Sequence, residues 1–357
     1  MTISTTETLQ PGRFDTTHSE FAAQLPKQKQ HIKEVGDKFE SRDYQDWRQQ
    51  LKEEGFVVVK NVLNQEKAQH YRNEILNWLT SFGTPLKIED KSTWHNKNLP
   101  VHGLHNVHAL YSVSHEKFVW DLRSEPKIRD AFGKVWGTDE LLVSFDGLNI
   151  GLPGLQDDTD IEQARAKPWQ HVDQSPFKQS FQCVQGIAQL SKGGPKDGGL
   201  VVYPKSHKHF TEFTETQLDK SKWVRKDWLS LSKEHVKWYE EVKGIKPYKV
   251  IAEPGDLILW DSRTIHYAVL AESDEIRTIA YVSYSPASFA TPDALEKKKE
   301  AFEKWLGTTH WAHDNINPRN TDPVLANGEV DPRNRKEPIQ KPELNDIVLK
   351  LAGVKPY

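Results

Sequence analysis

The sequence predicts a mainly β fold with flanking helices, and three observations support this fold class. A Pro-Gly turn at 254–255 leads into an apolar run that ends at His266, as expected for a turn that feeds a buried strand. A second strand-like run covers residues 278–284. Residues 64–82 instead carry apolar side chains at helical spacing. The 357-residue chain is long enough to bury a sizeable core of this kind.

The first half of the chain alternates predicted helices and strands. Residues 43–54 are expected to form a helix, and the apolar stretch 55–63 a strand. The next helix, 64–82, has Asn64 as its expected N-cap, because an asparagine side chain accepts a hydrogen bond from the first turn. A His-rich loop covers residues 87–115. A helix over 125–136 and a strand over 141–150 follow.

The second half supplies more strands. The run 181–190 is apolar with interspersed glutamines, which predicts a strand, and 193–199 is glycine-rich, which predicts a turn. The strands before His266 and over 278–284 come next. Residues 295–306 predict a charged helix with an aromatic inner side, and 344–351 a short helix.

These elements predict three regions along the chain. Residues 1–40 form a polar N-terminal extension that is expected to be irregular or loosely attached. Residues 41–310 form a single domain with a helical insertion at about 210–246, which either covers a cavity as a lid or packs outside the sheet. The tail 311–357 either closes over the active site or wraps the surface.

The charge balance argues against nucleic acid and membrane partners. The 48 basic and 51 acidic side chains are mixed along the chain, and the net charge is −3, so no strong basic field is present. A secretory signal and an apolar run long enough to span a bilayer are not recognisable. The single cysteine, Cys183, lies in an apolar run and is expected to be a buried core residue. We therefore expect a cytoplasmic protein; its oligomeric state is not predicted.

Three residues predict a metal site. His171 and Asp173 are spaced H-x-D, and His266 follows far downstream. Two imidazoles and one carboxylate on one face of a metal leave its other positions open, which is typical of non-haem Fe(II) oxygenases. Arg277 follows His266 by eleven residues. Because a guanidinium binds a carboxylate by two parallel hydrogen bonds, Arg277 could hold the far end of a dicarboxylic acid such as 2-oxoglutarate.

The order of these residues resembles the phytanoyl-CoA dioxygenase family of Fe(II)/2-oxoglutarate-dependent dioxygenases. The resemblance extends over about residues 43–290 and includes the segments 55–63, 198–207 and 254–266. The segments 143–147 and 260–264 are most similar to fungal members that act on small molecules in specialised metabolism. The resemblance implies a double-stranded β-helix (jelly roll, cupin-like) core. It also implies Fe(II) as cofactor and 2-oxoglutarate and O2 as cosubstrates.

The sequence departs from the family pattern in two respects. The usual Pro-Gly-Ser-His turn is replaced by Pro-Lys-Ser-His at 204–207, so His207 has no role carried over from the family. A basic cluster beside a glycine-rich loop, which would bind the phosphates of CoA, is not apparent. The expected substrate is therefore a small molecule, and a CoA thioester does not follow from the family's name.

Further site residues are proposed by their position near the expected ligands. Gln185 is a candidate for hydrogen bonding to the cosubstrate. The candidates for substrate binding are Trp169, Asn149, Arg263 and Tyr267. Each also has a purely structural alternative: core packing, a strand-end turn, a surface ion pair and filling of the barrel interior, in that order.

The expected reaction is oxidation of an unactivated C–H bond, with hydroxylation as the default. The same cofactor chemistry could instead give desaturation, ring closure or epimerisation. A non-catalytic jelly-roll binding protein and a cupin-like isomerase or Zn hydrolase are the alternatives of other classes. Two further groups of possible metal ligands are not expected to bind a metal. The H-x2-H-x2-H histidines of 102–108 are one group, of which one could line the pocket. The acidic residues of 157–162 are the other, and they are expected in a solvated loop.

Overall fold

Helices and strands alternate along the chain much as the sequence predicts. The computed structural model describes residues 19–155, 167–223 and 225–357. The helices are α1 (Ser19–Glu40), α2 (Arg48–Glu54), α3 (Gln65–Thr80), α4 (Lys117–Ser124), α5 (Pro126–Trp136), α6 (Phe210–Thr216), α7 (Lys233–Lys237), α8 (Pro292–Glu303) and α9 (Asp346–Leu351). A π-helical turn, Trp238–Val242, follows α7.

Two antiparallel sheets form the centre of the fold. The strands are β1 (Phe56–Val59), β2 (Val107–His108), β3 (Leu141–Val143), β4 (Leu148–Gly151), β5 (His171–Val172), β6 (Val184–Gln189), β7 (Gly199–Val202), β8 (Leu229–Ser230), β9 (Tyr248–Lys249), β10 (Leu257–Asp261), β11 (His266–Val269) and β12 (Arg277–Pro286). The larger sheet has the order β1-β10-β6-β12-β4-β2, with β3 also paired to β12; the smaller has the order β8-β5-β11-β7-β9.

The two sheets enclose an apolar core, and helices cover the outer face of the larger sheet. Ile187 and Trp260 from the larger sheet and Leu200 and Val202 from the smaller sheet belong to one buried cluster. A larger cluster joins the helices α3, α4 and α5 to strands of the larger sheet. The fold is therefore two antiparallel sheets with flanking helices, which confirms the predicted mixture of elements.

Helix α3 shows how local sequence sets an element's boundaries. The side chain of Asn64 accepts a hydrogen bond from the Lys67 amide at 2.8 Å, so the predicted N-cap is confirmed. Tyr71, Ile75 and Leu79 are buried, as the helical spacing predicts.

The predicted strand 141–150 is instead two strands, β3 and β4. The chain bends between them at Gly147, where an added Cβ would lie 2.1 Å from the carbonyl oxygen of His108. Only glycine fits so close to another backbone segment.

The expectation of irregular structure before residue 41 is wrong for residues 19–40, which form α1. Ile32 and Phe39 of this helix are buried, and the Phe39 ring stacks on Phe181 with centroids 4.5 Å apart. The polar composition concealed this helix because only a narrow stripe of it meets the core. Residues 1–18, which share that expectation, and the acidic residues of 157–162 lie outside the described part.

The predicted helical insertion contains a strand as well as helices. Its strand β8 pairs with β5, with Ser230 opposite His171. Its apolar side chains pack with Val172 and Tyr203 in a third buried cluster. The insertion thus lies directly beside the strand that carries the first predicted metal ligand.

Across the described ranges, no helix combines the length and apolarity that crossing a bilayer requires.

Candidate metal centre

The H-x-D pair and the distant histidine meet because β5 and β11 are neighbours in the smaller sheet. His266 lies opposite His171 in the antiparallel register, and Asp173 follows β5 directly. The Nε2 atom of His266 is 3.2 Å from Asp173 Oδ2, and Nε2 of His171 is 3.7 Å from Asp173 Oδ1. One ligand atom from each residue lies within 4.8 Å of the others, and all three side chains are buried. This set is positioned for metal binding.

Backbone carbonyls orient both imidazoles toward the centre of this set. Nδ1 of His171 donates to the carbonyl of Trp169 at 3.0 Å, and Nδ1 of His266 donates to the carbonyl of Thr264 at 3.0 Å. When the proton is held on Nδ1, the Nε2 atom of the neutral ring keeps a free electron pair. This tautomer can bind a metal through Nε2.

The protonation states also suit a cation. Burial lowers the pKa of His171 to about 3, so its ring is neutral at physiological pH. Burial alone raises the pKa of the Asp173 carboxyl, but the surrounding histidines His310, His171 and His266 outweigh it and lower the pKa below its usual value. A neutral imidazole beside an ionised carboxylate is the donor set a divalent metal requires.

Gln185 lies against this centre, but its amide nitrogen is bound to a metal ligand. Its Nε2 donates to Asp173 Oδ2 at 3.0 Å. Asp173 is further fixed at its backbone, since its carbonyl accepts from His310 Nε2 at 3.1 Å and Trp311 Nε1 at 3.3 Å. The donor that was expected to reach the cosubstrate thus orients the carboxylate.

The C-terminal segment is held near the metal centre by a half-buried cation. The Lys178 ammonium lies 3.8 Å from the centre of the Trp311 ring and forms ion pairs with Asp227 at 2.6 Å and Asp314 at 2.8 Å. Asp227 belongs to the insertion, so this cluster joins the insertion and the C-terminal segment to the loop that follows Asp173. Trp311 is thereby fixed where it reaches the Asp173 carbonyl.

Arg277 begins β12 in the larger sheet, whereas His266 begins β11 in the smaller one. The two residues are therefore not carried by paired strands, although only eleven positions separate them. The chain crosses between the sheets twice, once on each side of β11, and so His266 and Arg277 line one cavity from opposite sheets. Their proximity depends on sheet packing and not on strand pairing.

No carboxylate of residues 19–155, 167–223 or 225–357 forms an ion pair with Arg277. It is buried, and its Nε has no hydrogen-bond partner among the described residues; nor has the buried Oδ1 of Asn149, which lines the same cavity. Nearby, Lys249 also has a buried, unpartnered Nζ, and burial followed by the charge of Arg277 lowers its pKa to about 8. Because buried, uncompensated cations are unfavourable, this end of the cavity fits an anion.

The cavity over the predicted ligands, called here the triad cavity, has a volume of about 350 Å³. Trp169 lies in its wall with both faces covered, by His105 at a centroid distance of 3.8 Å and by His171 at 4.4 Å. A substrate could therefore meet only the edge of Trp169. Tyr267 and Asn149 also line the cavity, and Asn149 donates to the carbonyl of His105 at 2.7 Å.

Arg263 is a correction to the predicted substrate-binding set. Its guanidinium forms ion pairs with Asp261 and Glu40, both at 2.6 Å, and donates to the carbonyl of Gln179 at 3.1 Å. Although burial opposes the charge, these carboxylates raise the pKa of Arg263. The side chain holds the turn between β10 and β11 against α1 and does not line the triad cavity.

Several residues of the cavity wall were not predicted as site residues, among them two that carry a charge and two that carry aromatic rings. Trp228 comes from the insertion, Asp146 from the turn between β3 and β4, and His310 and Arg319 from the region after α8. Of the histidines in 102–108, one of which could line the pocket, His105 lies in the cavity wall. The sequence offered no spacing rule for Arg319, since its place depends on how the C-terminal segment folds back.

Comparison with known proteins agrees with this geometry. Residues 51–279 match the phytanoyl-CoA dioxygenase family (PhyH), which is more than half of the chain. The chain is 40% identical over 275 residues to the Ava biosynthesis cluster protein O of Aspergillus versicolor, covering 76% of this chain and 87% of that protein.

Among solved structures, the GlcNAc Inducible Gene 2 protein (DUF1479) of Candida albicans superposes with a TM-score of 0.58 at 13% identity. That superposition covers 95% of this chain and 87% of the other. The similarity shows a shared fold. Together with the match to the family and the convergence of the metal-binding set, these findings identify the chain as a member of the phytanoyl-CoA dioxygenase family of Fe(II)/2-oxoglutarate-dependent oxygenases.

Proposed function

We propose that the protein oxidises an unactivated C–H bond of a small-molecule substrate, with hydroxylation as the default outcome. The observation that carries this proposal is the convergence of His171, Asp173 and His266 in a cavity that also contains Arg277. When bound, the Fe(II) centre supplies the oxidising chemistry that converts 2-oxoglutarate and O2 to succinate and CO2. A buried two-histidine, one-carboxylate set suits that metal because it leaves coordination positions open for exchangeable ligands.

Arg277 is proposed to bind the distal carboxylate of 2-oxoglutarate. Its buried guanidinium has no carboxylate partner in the described parts of the chain, and the adjacent Lys249 adds positive charge. Asn149 and Tyr281 lie beside it in the cavity, with the Asn149 amide 3.3 Å from the Tyr281 hydroxyl. These groups would position the cosubstrate, which lowers the entropic cost of bringing the reactants together.

Trp169, Tyr267 and Asn149 are proposed to contact the substrate or cosubstrate, since all three line the triad cavity. For Trp169 the contact would be through its edge. Gln185 is proposed to act through Asp173, to which it is hydrogen bonded.

We also propose that the two sheets form a double-stranded β-helix core. The shared apolar cluster between the larger and smaller sheets and the chain crossings at β10–β11 and β11–β12 support this arrangement. The single catalytic domain is proposed to extend beyond residue 310, since Trp311 contacts the carbonyl of Asp173 and Arg319 lines the triad cavity. The tail beyond 310 would thus help to close the active site.

The biosynthesis-cluster name of the Aspergillus versicolor relative supports a substrate from specialised metabolism. Within the same cofactor chemistry, desaturation, ring closure or epimerisation would give a different product mass from hydroxylation. A gain of one oxygen identifies hydroxylation, a loss of two hydrogens identifies desaturation or ring closure, and an unchanged mass with altered retention identifies epimerisation.

The experiment has two stages. Fe(II) and then 2-oxoglutarate are added to the protein without oxygen, and the visible charge-transfer band is followed; O2 and a metabolite extract are then added, and products are identified by mass. A band at saturating 2-oxoglutarate followed by succinate formation is expected. A protein that binds neither component, or that forms no succinate with any substrate, would lack oxygenase activity, and the proposal would fail.

A further inference from the structure

Besides Arg277, two charged side chains in the triad cavity have no ion-pair partner among the described residues. Arg319 and Asp146 both line this cavity, and neither forms a salt bridge with any residue of 19–155, 167–223 or 225–357. They are not within ion-pairing distance of each other. Both side chains are therefore available to pair with a charged group of a ligand. Arg263, by contrast, already forms ion pairs with Asp261 and Glu40.

Arg319 is held at its base, which leaves its outer nitrogens available. Its amide donates to the carbonyl of Gly307 at 2.8 Å, and its Nε donates to the carbonyl of Thr308 at 3.0 Å. Thr308 is in turn anchored to Phe145, since its amide donates to the Phe145 carbonyl at 2.8 Å. The terminal amino groups keep the planar geometry that binds a carboxylate.

Asp146 directly follows Phe145, whose carbonyl accepts the Thr308 amide. The contact between Phe145 and Thr308 therefore supports both Asp146 and Arg319. Its Oδ1 accepts the amide of Gly147 at 2.8 Å, and its backbone carbonyl accepts from Arg123 at 2.8 Å. These bonds fix the residue and leave Oδ2 as an acceptor. A substrate donor, such as an ammonium or N–H group, would satisfy it.

An aromatic surface completes the wall. Trp228 lines the cavity, is 41% exposed, and its ring centroid lies 6.2 Å from that of His171. Trp169 cannot serve in the same way, because His105 and His171 cover both of its faces. Trp260, the third tryptophan of the wall, is buried. Trp228 is therefore the tryptophan with ring surface available to a flat substrate, beside the Lys226 ammonium 5.3 Å from its ring centre.

We propose that the substrate is an aromatic small molecule that combines an anionic group with a hydrogen-bond donor, as an amino acid does. Arg319 binds the anionic group, Asp146 binds the donor, and Trp228 packs against the ring. The inference rests on the proposed function, since it assigns the substrate of that same site. A molecule with only one of the two groups would leave either Arg319 or Asp146 without its charge-assisted partner, which weakens binding.

Three probes with one shared phenyl ring test the inference: L-phenylalanine carries both groups, 3-phenylpropionate only the acid, and phenethylamine only the amine. Their affinities are measured without oxygen on the protein loaded with Fe(II) and 2-oxoglutarate, by calorimetry and by the shift of the charge-transfer band. L-Phenylalanine is expected to bind about tenfold more tightly than either other probe.

Two variants assign the effect to residues. With Arg319→Gln, L-phenylalanine should bind no better than phenethylamine; with Asp146→Asn, it should bind no better than 3-phenylpropionate. Lys336→Gln and Asp322→Asn are matched controls, because they remove an exposed cation and its partner outside the cavity. Both controls should keep the unmodified protein's preference.

Equal affinities for the three probes, or no binding of any probe at about 10 mM, would overturn the inference. Preference retained in both cavity variants would overturn it too. The charge-transfer band separates this failure from that of the proposed function. If the band forms normally, only the substrate assignment is wrong. If the band does not form, the proposed oxygenase function and the substrate assignment are both wrong.

Discussion

His171 and His266 occupy opposite positions on neighbouring antiparallel strands, and their ring centroids are 4.3 Å apart. Each ring donates through Nδ1 to the carbonyl two residues earlier in the chain. The sheet register thus presents both Nε2 atoms to the same point, where Asp173 completes the set.

Asp173→Ala should abolish Fe(II) binding and the charge-transfer band, because the set then lacks its only charged ligand. Asp197→Asn is the control, since that aspartate lies outside the triad cavity. The measurement is anaerobic Fe(II) titration at fixed 2-oxoglutarate. A fully active Asp173→Ala protein would contradict the assignment of the metal centre.

Gln185→Leu should weaken Fe(II) binding by about 10- to 100-fold, as expected when a hydrogen bond that orients a ligating carboxylate is lost. The bond in question joins Gln185 Nε2 to Asp173. Gln189→Leu on the same strand is the matched control, because the Gln189 amide instead donates to the carbonyl of Ser191. Unchanged metal affinity together with a raised 2-oxoglutarate requirement would instead support a cosubstrate role for Gln185.

Trp311→Phe should lower Fe(II) affinity several-fold while the protein stays folded. The variant keeps the ring beneath Lys178 but removes the N–H that reaches the Asp173 carbonyl. Trp136→Phe is matched to it, since Trp136 is also buried and donates to a backbone carbonyl, that of Tyr284. Both variants are compared by metal titration and thermal unfolding. Equal effects of the two on metal affinity would rule out a specific role for Trp311.

Arg277→Gln should raise the 2-oxoglutarate dissociation constant by more than about tenfold and leave Fe(II) affinity nearly unchanged, because it removes a charge-assisted pair with the distal carboxylate. The readout is the band's dependence on 2-oxoglutarate concentration. Arg319→Gln serves as the comparison and should keep normal 2-oxoglutarate affinity. A larger loss in the Arg319 variant would exchange the roles assigned to the two arginines.

Lys298→Met should make the protein more stable at neutral pH. Lys298 is fully buried, and burial holds its pKa well below the usual value, so the unfolded chain binds a proton that the folded chain does not. Between the lowered folded-state pKa and the unfolded-state pKa of Lys298, stability of the unmodified protein therefore rises with pH by about 1.4 kcal/mol per unit from this group.

The advantage of the Lys298→Met variant should accordingly shrink as the pH rises from neutral toward the unfolded-state pKa of lysine. Urea unfolding at several pH values gives the difference in the free energy of unfolding. The hydrogen bond from Lys298 Nζ to the Val143 carbonyl, 2.7 Å long, is lost in the variant at every pH and adds a constant cost. Parallel stability curves for the two proteins would contradict the prediction.

Local patterns in the sequence predicted elements whose cause is local. Asn64 caps α3 because its side chain reaches an amide three residues away, and the apolar spacing of that helix follows from its own geometry. Helix α1 was missed because its buried residues, such as Phe39, gain their partners from distant parts of the chain.

The sequence by itself determined the identity and order of the metal-binding set, since an H-x-D pair, a later histidine and an arginine are readable without coordinates. Only the tertiary structure decided that Arg263 binds Asp261 and Glu40 and that Gln185 bonds to Asp173. It also placed Arg319 in the cavity wall. The physical reason is that side-chain partners are set by how sheets and returning segments pack, which no local pattern encodes; Glu40 and Arg263, for example, are 223 positions apart.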